Sequence, residues 1–288
     1  GGISVGGLAY NKIHFSLLNN VDHICDTHNP EKNAFSKGQP DWGKELADDL
    51  LKVIEKHGAD QIAAFITEPV AGSTGVLIPP KGYLDRIRQI CTEYNILLIF
   101  DEVITGFGRL GDPFAAQHFN VEPDIITCAK GLTSGTVPMG AVIVKKEIYD
   151  AFQQRDPKVI DLFHGYTYSA HPLASAAMIA ALDVYSNDGL FKHANTLSPY
   201  WEEKCHSLKG TDHIIDIRNL GLVAGIEMVP RDEKPGTRGY DVFTDAFHNH
   251  NLLIRITGDT IALSPPLIAE KEHIDIIIET LRTIIPSH

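Results

Sequence analysis

Apolar runs alternate along the chain with stretches in which apolar residues recur every three or four positions. Leu46, Leu50, Val53 and Ile54, for example, form a helical stripe that Gly58 closes. Short apolar runs separated by such stripes are typical of a βαβ protein with a mainly parallel sheet. The first part of the chain is predicted to hold strands at 62–66, 96–100, 124–128 and 141–144, and helices at 42–57, 83–94 and from 172 onwards.

A polar turn at 186–189 interrupts this alternation and predicts a domain boundary. Residues 1–186 are then a large α/β domain, and residues 187–288 are a smaller C-terminal α+β domain. The smaller domain is predicted to open with a helix and to continue with strands at 221–228, 252–256 and 260–264 and helices at 240–250 and about 269–284.

Composition and charge narrow the class of protein. The 288 residues are 43% hydrophobic and 22% charged, which excludes a disordered or fibrous chain. A net charge of −12 argues against binding to nucleic acid or to an anionic membrane. The four cysteines are scattered without a CxxC pair, so we expect reduced thiols and a cytoplasmic protein.

A metal site is not predicted. His23, Cys25, Asp26 and His28 lie close together in the sequence. Their spacing matches no standard zinc pattern, and a polar loop explains it equally well.

Three polar residues sit at the carboxyl ends of predicted strands, where ligands of parallel α/β sheets bind: Glu68, Asp101 and Lys130. The 29 positions from Asp101 to Lys130 suit one crossover between adjacent parallel strands. A partly desolvated lysine has a lowered pKa and can form a Schiff base. A carboxylate about 4 Å from a protonated ring nitrogen contributes roughly 4 kcal/mol at an effective dielectric of about 20. The pair therefore suits pyridoxal phosphate, although a helix cap and a solvated lysine would also explain these residues singly.

Longer motifs surround these residues: Glu68–Gly75, Leu98–Arg109, Ala129–Gly131, Gly165–Pro172 and Leu253–Arg255. Together they resemble the class III aminotransferases, which have the fold type I pyridoxal-phosphate architecture. Within that family the stretch 35–40 and the segment 166–172 are similar to the ω-amino acid:pyruvate enzymes, including the β-alanine–pyruvate enzymes.

The resemblance implies a role for each matching residue. Lys130 would carry pyridoxal 5′-phosphate as a Schiff base and move the substrate proton, and Asp101 would pair with the pyridinium nitrogen. Val103 would pack on the cofactor ring. Thr167 would hydrogen-bond the cofactor phosphate of a neighbouring subunit, which implies a homodimer or a dimer of dimers with shared active sites.

Two further residues would contact the substrate or the ring. Arg255 would bind a substrate carboxylate through a bidentate pair. Glu68 would lie near the ring and pair with Arg255 when no carboxylate is bound. The implied reaction is a transamination (EC 2.6.1.-) from an ω-amino acid such as β-alanine, or from a primary amine, to pyruvate or a similar 2-oxo acid.

The family's aromatic ring that stacks on the cofactor and its phosphate-binding loop would be expected before Gly1. This leaves open a non-enzymatic remnant that folds or dimerises without cofactor. A more distant alternative is a P-loop ATPase, because 96–102 also reads as a Walker B strand, but no GxxxxGK[ST] motif occurs in the 288 residues.

Overall fold

The computed structural model describes residues 1–153, 156, 158, 162, 164–232 and 234–288. Its first sheet has the order β1-β2-β3-β4, in which β1 to β3 are parallel and β4 is antiparallel to β3. The strands of this sheet are β1 (Ala64–Thr67), β2 (Leu97–Asp101), β3 (Ile125–Cys128) and β4 (Ala141–Val144).

The second sheet is antiparallel throughout, with the order β5-β6-β8-β7. Its strands are β5 (Ile214–Leu220), β6 (Val223–Met228), β7 (Arg255–Thr257) and β8 (Thr260–Leu263).

Helices account for most of the remaining regular structure. The α-helices that the described residues form are α1 (Gly2–Val5), α2 (Ala9–Lys12), α3 (Pro30–Asn33), α4 (Asp49–His57), α5 (Tyr83–Glu93), α6 (Ala115–His118), α7 (Lys146–Gln153), α8 (Pro172–Asn187), α9 (Leu190–His206), α10 (Thr237–His250) and α11 (Lys271–Ile284). Short 3-10 turns lie at Lys44–Asp48, Ala59–Gln61, Lys130–Thr133 and Ile285–Ser287. None of these helices combines the length and apolarity that crossing a bilayer requires.

Each sheet has its own apolar core. Leu98 and Phe100 of β2 are fully buried with Ile87 and Ile90 of α5. Alternate residues of β2 therefore bury their side chains under the helix, which holds the carboxyl end of the strand in place. The second core is a single apolar cluster. In it, Trp201 of α9 and Ile278 of α11 are buried together with residues of β5 and β6.

The four strands predicted in the first part of the chain are confirmed within a few residues. The predicted helix at 42–57 starts as the 3-10 turn at 44–48 and becomes α-helical only at Asp49. The alternating pattern did not reveal that β4 runs antiparallel. It does so because the described residues between β3 and β4 form only a short 3-10 turn, too short for a parallel crossover.

Sequence patterning was less accurate in the second part. Strand β5 was not predicted, and the strand predicted at 252–256 lies instead at Arg255–Thr257. The reason is local. Asn251 ends α10 in a left-handed conformation, and Gly258 at φ +57° begins the tight turn that pairs Thr257 with Thr260.

Candidate active site

The adjacent parallel strands β2 and β3 bring Asp101 and Lys130 to the same edge of the first sheet. Asp101 is the last residue of β2 and lies opposite Thr127 of β3 in the strand register. Lys130 follows three residues after Thr127, just beyond the end of β3. The predicted single crossover between adjacent strands is thus confirmed.

The two carboxylate oxygens of Asp101 differ in their hydrogen bonding. Its Oδ1 accepts a hydrogen bond from the backbone N–H of Val103 at 3.0 Å. Its Oδ2 has no hydrogen-bond partner within the part of the chain that the structure describes. The half-buried carboxylate is therefore fixed in direction by the turn that follows it, with an oxygen left to accept from a ligand.

Glu102 points the opposite way from Asp101 and is completely buried. It accepts hydrogen bonds from the Thr105 hydroxyl at 2.7 Å and from the backbone N–H groups of Ala115 and Ala116 at 2.7 and 2.8 Å. Burial raises the pKa of Glu102, while these donors lower it. The sequence pattern did not predict this buried carboxylate, although the alternation along β2, continued by one residue, places Glu102 on the face opposite Asp101.

Lys130 begins the 3-10 turn with a positive φ of 46°, a conformation that is uncommon for a residue with a side chain. The next residue must be glycine, because a Cβ on Gly131 would lie 2.8 Å from the Cβ of Phe107. The Tyr185 hydroxyl donates a 2.7 Å hydrogen bond to the Gly131 carbonyl oxygen. The backbone that carries Lys130 is therefore held from two sides.

The Lys130 amine is in the electrostatic surroundings that a Schiff-base lysine requires. Partial burial lowers its pKa, the charge of Arg255 lowers it further, and Glu68 and Asp101 raise it. The side chain is nevertheless accessible to solvent in the single chain. A lowered pKa increases the fraction of neutral amine, which is the nucleophilic form.

Glu68 comes directly after β1 and joins the same group of charges. Its Oε2 accepts a hydrogen bond from the Gly72 N–H at 3.0 Å. Burial raises the pKa of Glu68 and the charge of Asp101 raises it further, whereas Gly72, Lys130 and Arg255 lower it. Arg255 reaches this group from β7 of the second sheet, so the site lies where the two sheets meet.

Val103 and Thr167 are the two remaining predicted site residues. Val103 is partly buried, and it contacts the site through the hydrogen bond from its backbone to Asp101. Thr167 lies in an exposed turn and makes no hydrogen bond to the four charged groups among the described residues. A role for Thr167 in a neighbouring subunit stays a prediction.

The four loop residues considered for a metal do not converge. His23 contacts Lys12, whereas His28 lies 3.6 Å from both Asp216 and Glu227. The guanidinium of Arg218 sits among these last three groups, at 2.5 Å from Asp216 and 2.6 Å from Glu227. A cation of the protein itself thus occupies the position between the carboxylates.

The donor set fits pyridoxal phosphate. A lysine of lowered pKa can bond an aldehyde carbon, and the unengaged oxygen of Asp101 can accept from a protonated ring nitrogen. Glu68 and Arg255 add one carboxyl group and one cation, and both of their charges act on the Lys130 amine.

Comparisons with known proteins agree with this geometry. Residues 9–285 match the family model described as aminotransferase class-III. An omega-aminotransferase of Caulobacter vibrioides is 57% identical over 99% of this chain and 65% of its own length. A beta-alanine–pyruvate aminotransferase of Pseudomonas aeruginosa is 47% identical over 95% of this chain and 61% of its own. The chain therefore spans less than two thirds of the length of these two relatives.

Solved structures give the same result. A transaminase with L-Ala superposes with a TM-score of 0.90 at 31% identity, covering 99% of this chain and 69% of the other. The omega transaminase from Pseudomonas jessenii in complex with PMP superposes with a TM-score of 0.88 at 30% identity, covering 99% and 66%. The fold is that of the fold type I pyridoxal-phosphate transferases. The chain belongs to the class-III aminotransferase family, whose members use pyridoxal phosphate.

Proposed function

We propose that the protein containing this chain is a pyridoxal-phosphate-dependent aminotransferase. It would transfer an amino group from an ω-amino acid or a primary amine to pyruvate or a similar 2-oxo acid. The observation that supports this most directly is the convergence of Lys130 and Asp101 at the ends of adjacent parallel strands. The names of the relatives favour the ω-amino acid donors and do not favour a non-enzymatic remnant.

The cofactor, when bound, supplies an electron sink for carbanion chemistry at the substrate. Lys130 would hold its aldehyde carbon and, once displaced by the substrate amine, would remove and return the substrate proton at Nζ. The lowered pKa of Lys130 favours the neutral amine that this proton transfer needs. Asp101 would keep the ring nitrogen protonated, and Val103 would pack on one face of the ring.

Substrate binding would depend on the second pair of charges. Arg255 would bind the donor carboxylate, and Glu68 would neutralise Arg255 when the donor carries no carboxylate. The position of Glu68 and Arg255 beside Lys130 supports this exchange, because each of the two charges is felt at the same amine. A local cation is also needed because the net charge of −12 repels anionic donors at long range.

The organisation of the whole enzyme follows from the same proposal. Residues 1–186 would belong to the cofactor-binding large domain, and residues 187–288 would form the small domain. The exposed position of Thr167 suits a contact with the phosphate in a second subunit, so we propose a homodimer or a dimer of dimers. We also propose that the enzyme is cytoplasmic.

The decisive experiment uses the full-length protein incubated with pyridoxal phosphate. Borohydride reduction followed by peptide mapping is expected to find the pyridoxyl group on Lys130, and pyruvate with β-alanine is expected to yield alanine. Lys130→Ala should abolish both results. Lys146→Ala, at an exposed lysine that pairs with Asp150, should change neither. A pyridoxyl group on another lysine, or full activity of Lys130→Ala, would refute the proposal.

A further inference from the structure

Residues 71–77 form a loop in the connection between β1 and α5. The backbone of this loop is strained. Ala71 and Leu77 close it with two backbone hydrogen bonds of 3.1 and 2.9 Å. Inside it, Gly75 and Val76 both have positive φ angles, of 118° and 59°. A β-branched residue such as valine rarely adopts this conformation, so the surroundings must fix it.

Arg218 of β5 provides this fixation from the other sheet. It is 4% exposed, and its Nε donates to the carbonyl oxygens of Gly75 and Val76 at 3.0 Å each. Its Nη2 donates to the Gly75 carbonyl oxygen at 2.7 Å. The guanidinium therefore donates to the carbonyl oxygens of both residues that have positive φ angles in this loop.

The guanidinium is itself held by two carboxylates. Asp216 and Glu227 lie opposite each other on β5 and β6, and both accept from Nη1 of Arg218. Asp216 also accepts a 2.6 Å hydrogen bond from the Phe35 N–H, so its own position is fixed. A buried arginine with several charged partners has little freedom to change its orientation.

The loop is seated directly on the β5–β6 pair. A Cβ on Gly225, the residue opposite Arg218 in the register, would lie 2.8 Å from the Gly75 carbonyl oxygen. A Cβ on Gly75 would lie 3.2 Å from Nη2 of Arg218. The two backbones thus lie as close together as glycine permits. A shift of the β5–β6 pair would therefore also shift the loop.

The other face of this loop contacts the site. The Gly72 N–H donates to Glu68, and the Ser73 carbonyl oxygen accepts a 2.8 Å hydrogen bond from the Thr257 hydroxyl. Thr257 lies two residues after Arg255 on β7, so both side chains lie on the same face of that strand. The loop therefore touches both the carboxylate of Glu68 and the strand that carries Arg255.

We propose that Arg218 is a positioning residue that sets the relative placement of Glu68 and Arg255 through the loop 71–77. It thereby controls how well the enzyme discriminates donors with a carboxylate from donors without one. This inference rests on the proposed function for its substrate part. Its structural part, the fixation of the loop by Arg218, stands independently of any activity.

The test compares Arg218→Lys with Arg282→Lys in the full-length protein. A lysine keeps the charge but cannot bond two carbonyl groups and two carboxylates in one plane. Arg282 of α11 is a half-buried arginine that donates to the Ser207 carbonyl oxygen and hydroxyl, and it serves as the control. Amide hydrogen exchange of the segment 69–77, measured without substrate, is expected to accelerate by about tenfold or more in Arg218→Lys and to stay unchanged in Arg282→Lys.

Kinetics with two matched donors test the substrate part. With β-alanine, KM is expected to rise about tenfold in Arg218→Lys, while KM for a primary amine without a carboxylate changes less than about twofold. Equal increases for both donors would mean a merely structural role and would overturn the proposal. So would unchanged hydrogen exchange.

Thr257→Val is a milder variant that keeps the shape of the side chain and removes its hydrogen bond to Ser73. It should shift the KM ratio in the same direction, by less, and it decides the question if Arg218→Lys does not fold. Failure of the wild-type protein to transaminate either donor would refute the proposed function and the substrate part together. The hydrogen-exchange ratio would still decide whether Arg218 fixes the loop.

Discussion

The hydroxyl of Tyr185, in the last turns of α8, donates a 2.7 Å hydrogen bond to the carbonyl oxygen of Gly131, the residue that follows Lys130. The Tyr185 ring stacks with Phe107 and with Phe191, at centroid distances of 6.0 and 5.5 Å. An aromatic stack and one hydrogen bond thus connect α8 to the backbone of Lys130, which has a positive φ angle.

Tyr185→Phe tests this connection. The stack is kept and the hydrogen bond is lost, so we expect the free energy of unfolding to fall by about 1 kcal/mol. We also expect kcat to fall by about three- to tenfold at nearly unchanged KM, because Lys130 is less well oriented. Urea denaturation and steady-state kinetics measure both effects, with the exposed Tyr240→Phe as the control. An unchanged kcat would show that the hydrogen bond does not orient Lys130.

The pKa of Lys130 should respond in opposite directions to two substitutions. Arg255 lowers this pKa and Glu68 raises it, so Arg255→Leu should raise it and Glu68→Gln should lower it. The neutral amine reacts with aldehydes, and the pH midpoint of pyridoxal phosphate capture by the cofactor-free protein should therefore move up in Arg255→Leu and down in Glu68→Gln. Stopped-flow absorbance across pH 6 to 10 measures it. Shifts of the same sign in both variants would contradict this arrangement of charges.

Glu68→Gln should also change the choice of donor. In the proposed function Glu68 neutralises Arg255 when the donor has no carboxylate, and Glu68→Gln would remove this negative charge. We expect kcat/KM for a primary amine to fall about two- to tenfold, the modest effect of an accessible ion pair, while kcat/KM for β-alanine stays within about twofold. The exposed Glu55→Gln on α4 serves as the control. Equal changes for the two donors would count against the pairing of Glu68 with Arg255.

Glu227, which pairs with Arg218, should make stability depend on pH in the acid range. The pKa of Glu227 is lowered from 4.5 to about 2, mainly by the His28 imidazole at 3.6 Å and further by Arg218, against the opposing effect of burial. The unfolded chain binds this proton more readily than the folded protein does. The stabilisation is therefore complete above about pH 5 and is lost as the pH falls from 4.5 toward 2.

Glu227→Gln should accordingly reduce the free energy of unfolding at pH 7 by at most about 3 kcal/mol. The difference from the wild type should shrink as the pH falls below the unfolded pKa of 4.5, because the unfolded wild-type chain then gains a proton that the folded protein binds only near pH 2. Urea denaturation at pH 7, 5 and 3.5 measures the difference, again with Glu55→Gln as the reference. A difference that is independent of pH would mean that Glu227 acts through packing and not through its charge.

Much of the first sheet could be predicted from the sequence. Its strands are short apolar runs, and Asp101 and Lys130 follow such runs directly, so the parallel-sheet rule alone brings them to one edge. Glu102 was missed because a carboxylate next to Asp101 shows no pattern of its own. Its burial depends on the N–H groups of Ala115 and Ala116, which the fold brings back from thirteen and fourteen residues further along the chain.

The second sheet was harder to predict, for a related reason. Strand β5 carries Asp216 and Arg218 on a buried face, whereas apolar alternation marks buried faces by their hydrophobic residues. These charges are tolerated because Glu227 on β6 and the carbonyl groups of Gly75 and Val76 meet them in space. The Gly75 carbonyl group is 143 positions from Arg218 and the Phe35 N–H is 181 positions from Asp216, so no local pattern in the sequence records these contacts.

The sequence by itself determined the family, the class of fold and the placement of Asp101 and Lys130 at the ends of adjacent strands, since these depend on short motifs and on the order of strands and helices. Only the tertiary structure decided that Arg255 and Glu68 act on the same lysine, and that Arg218 connects the two sheets behind them. The physical reason is that pKa values and loop conformations depend on distances between distant segments, which are fixed when the two sheets pack together.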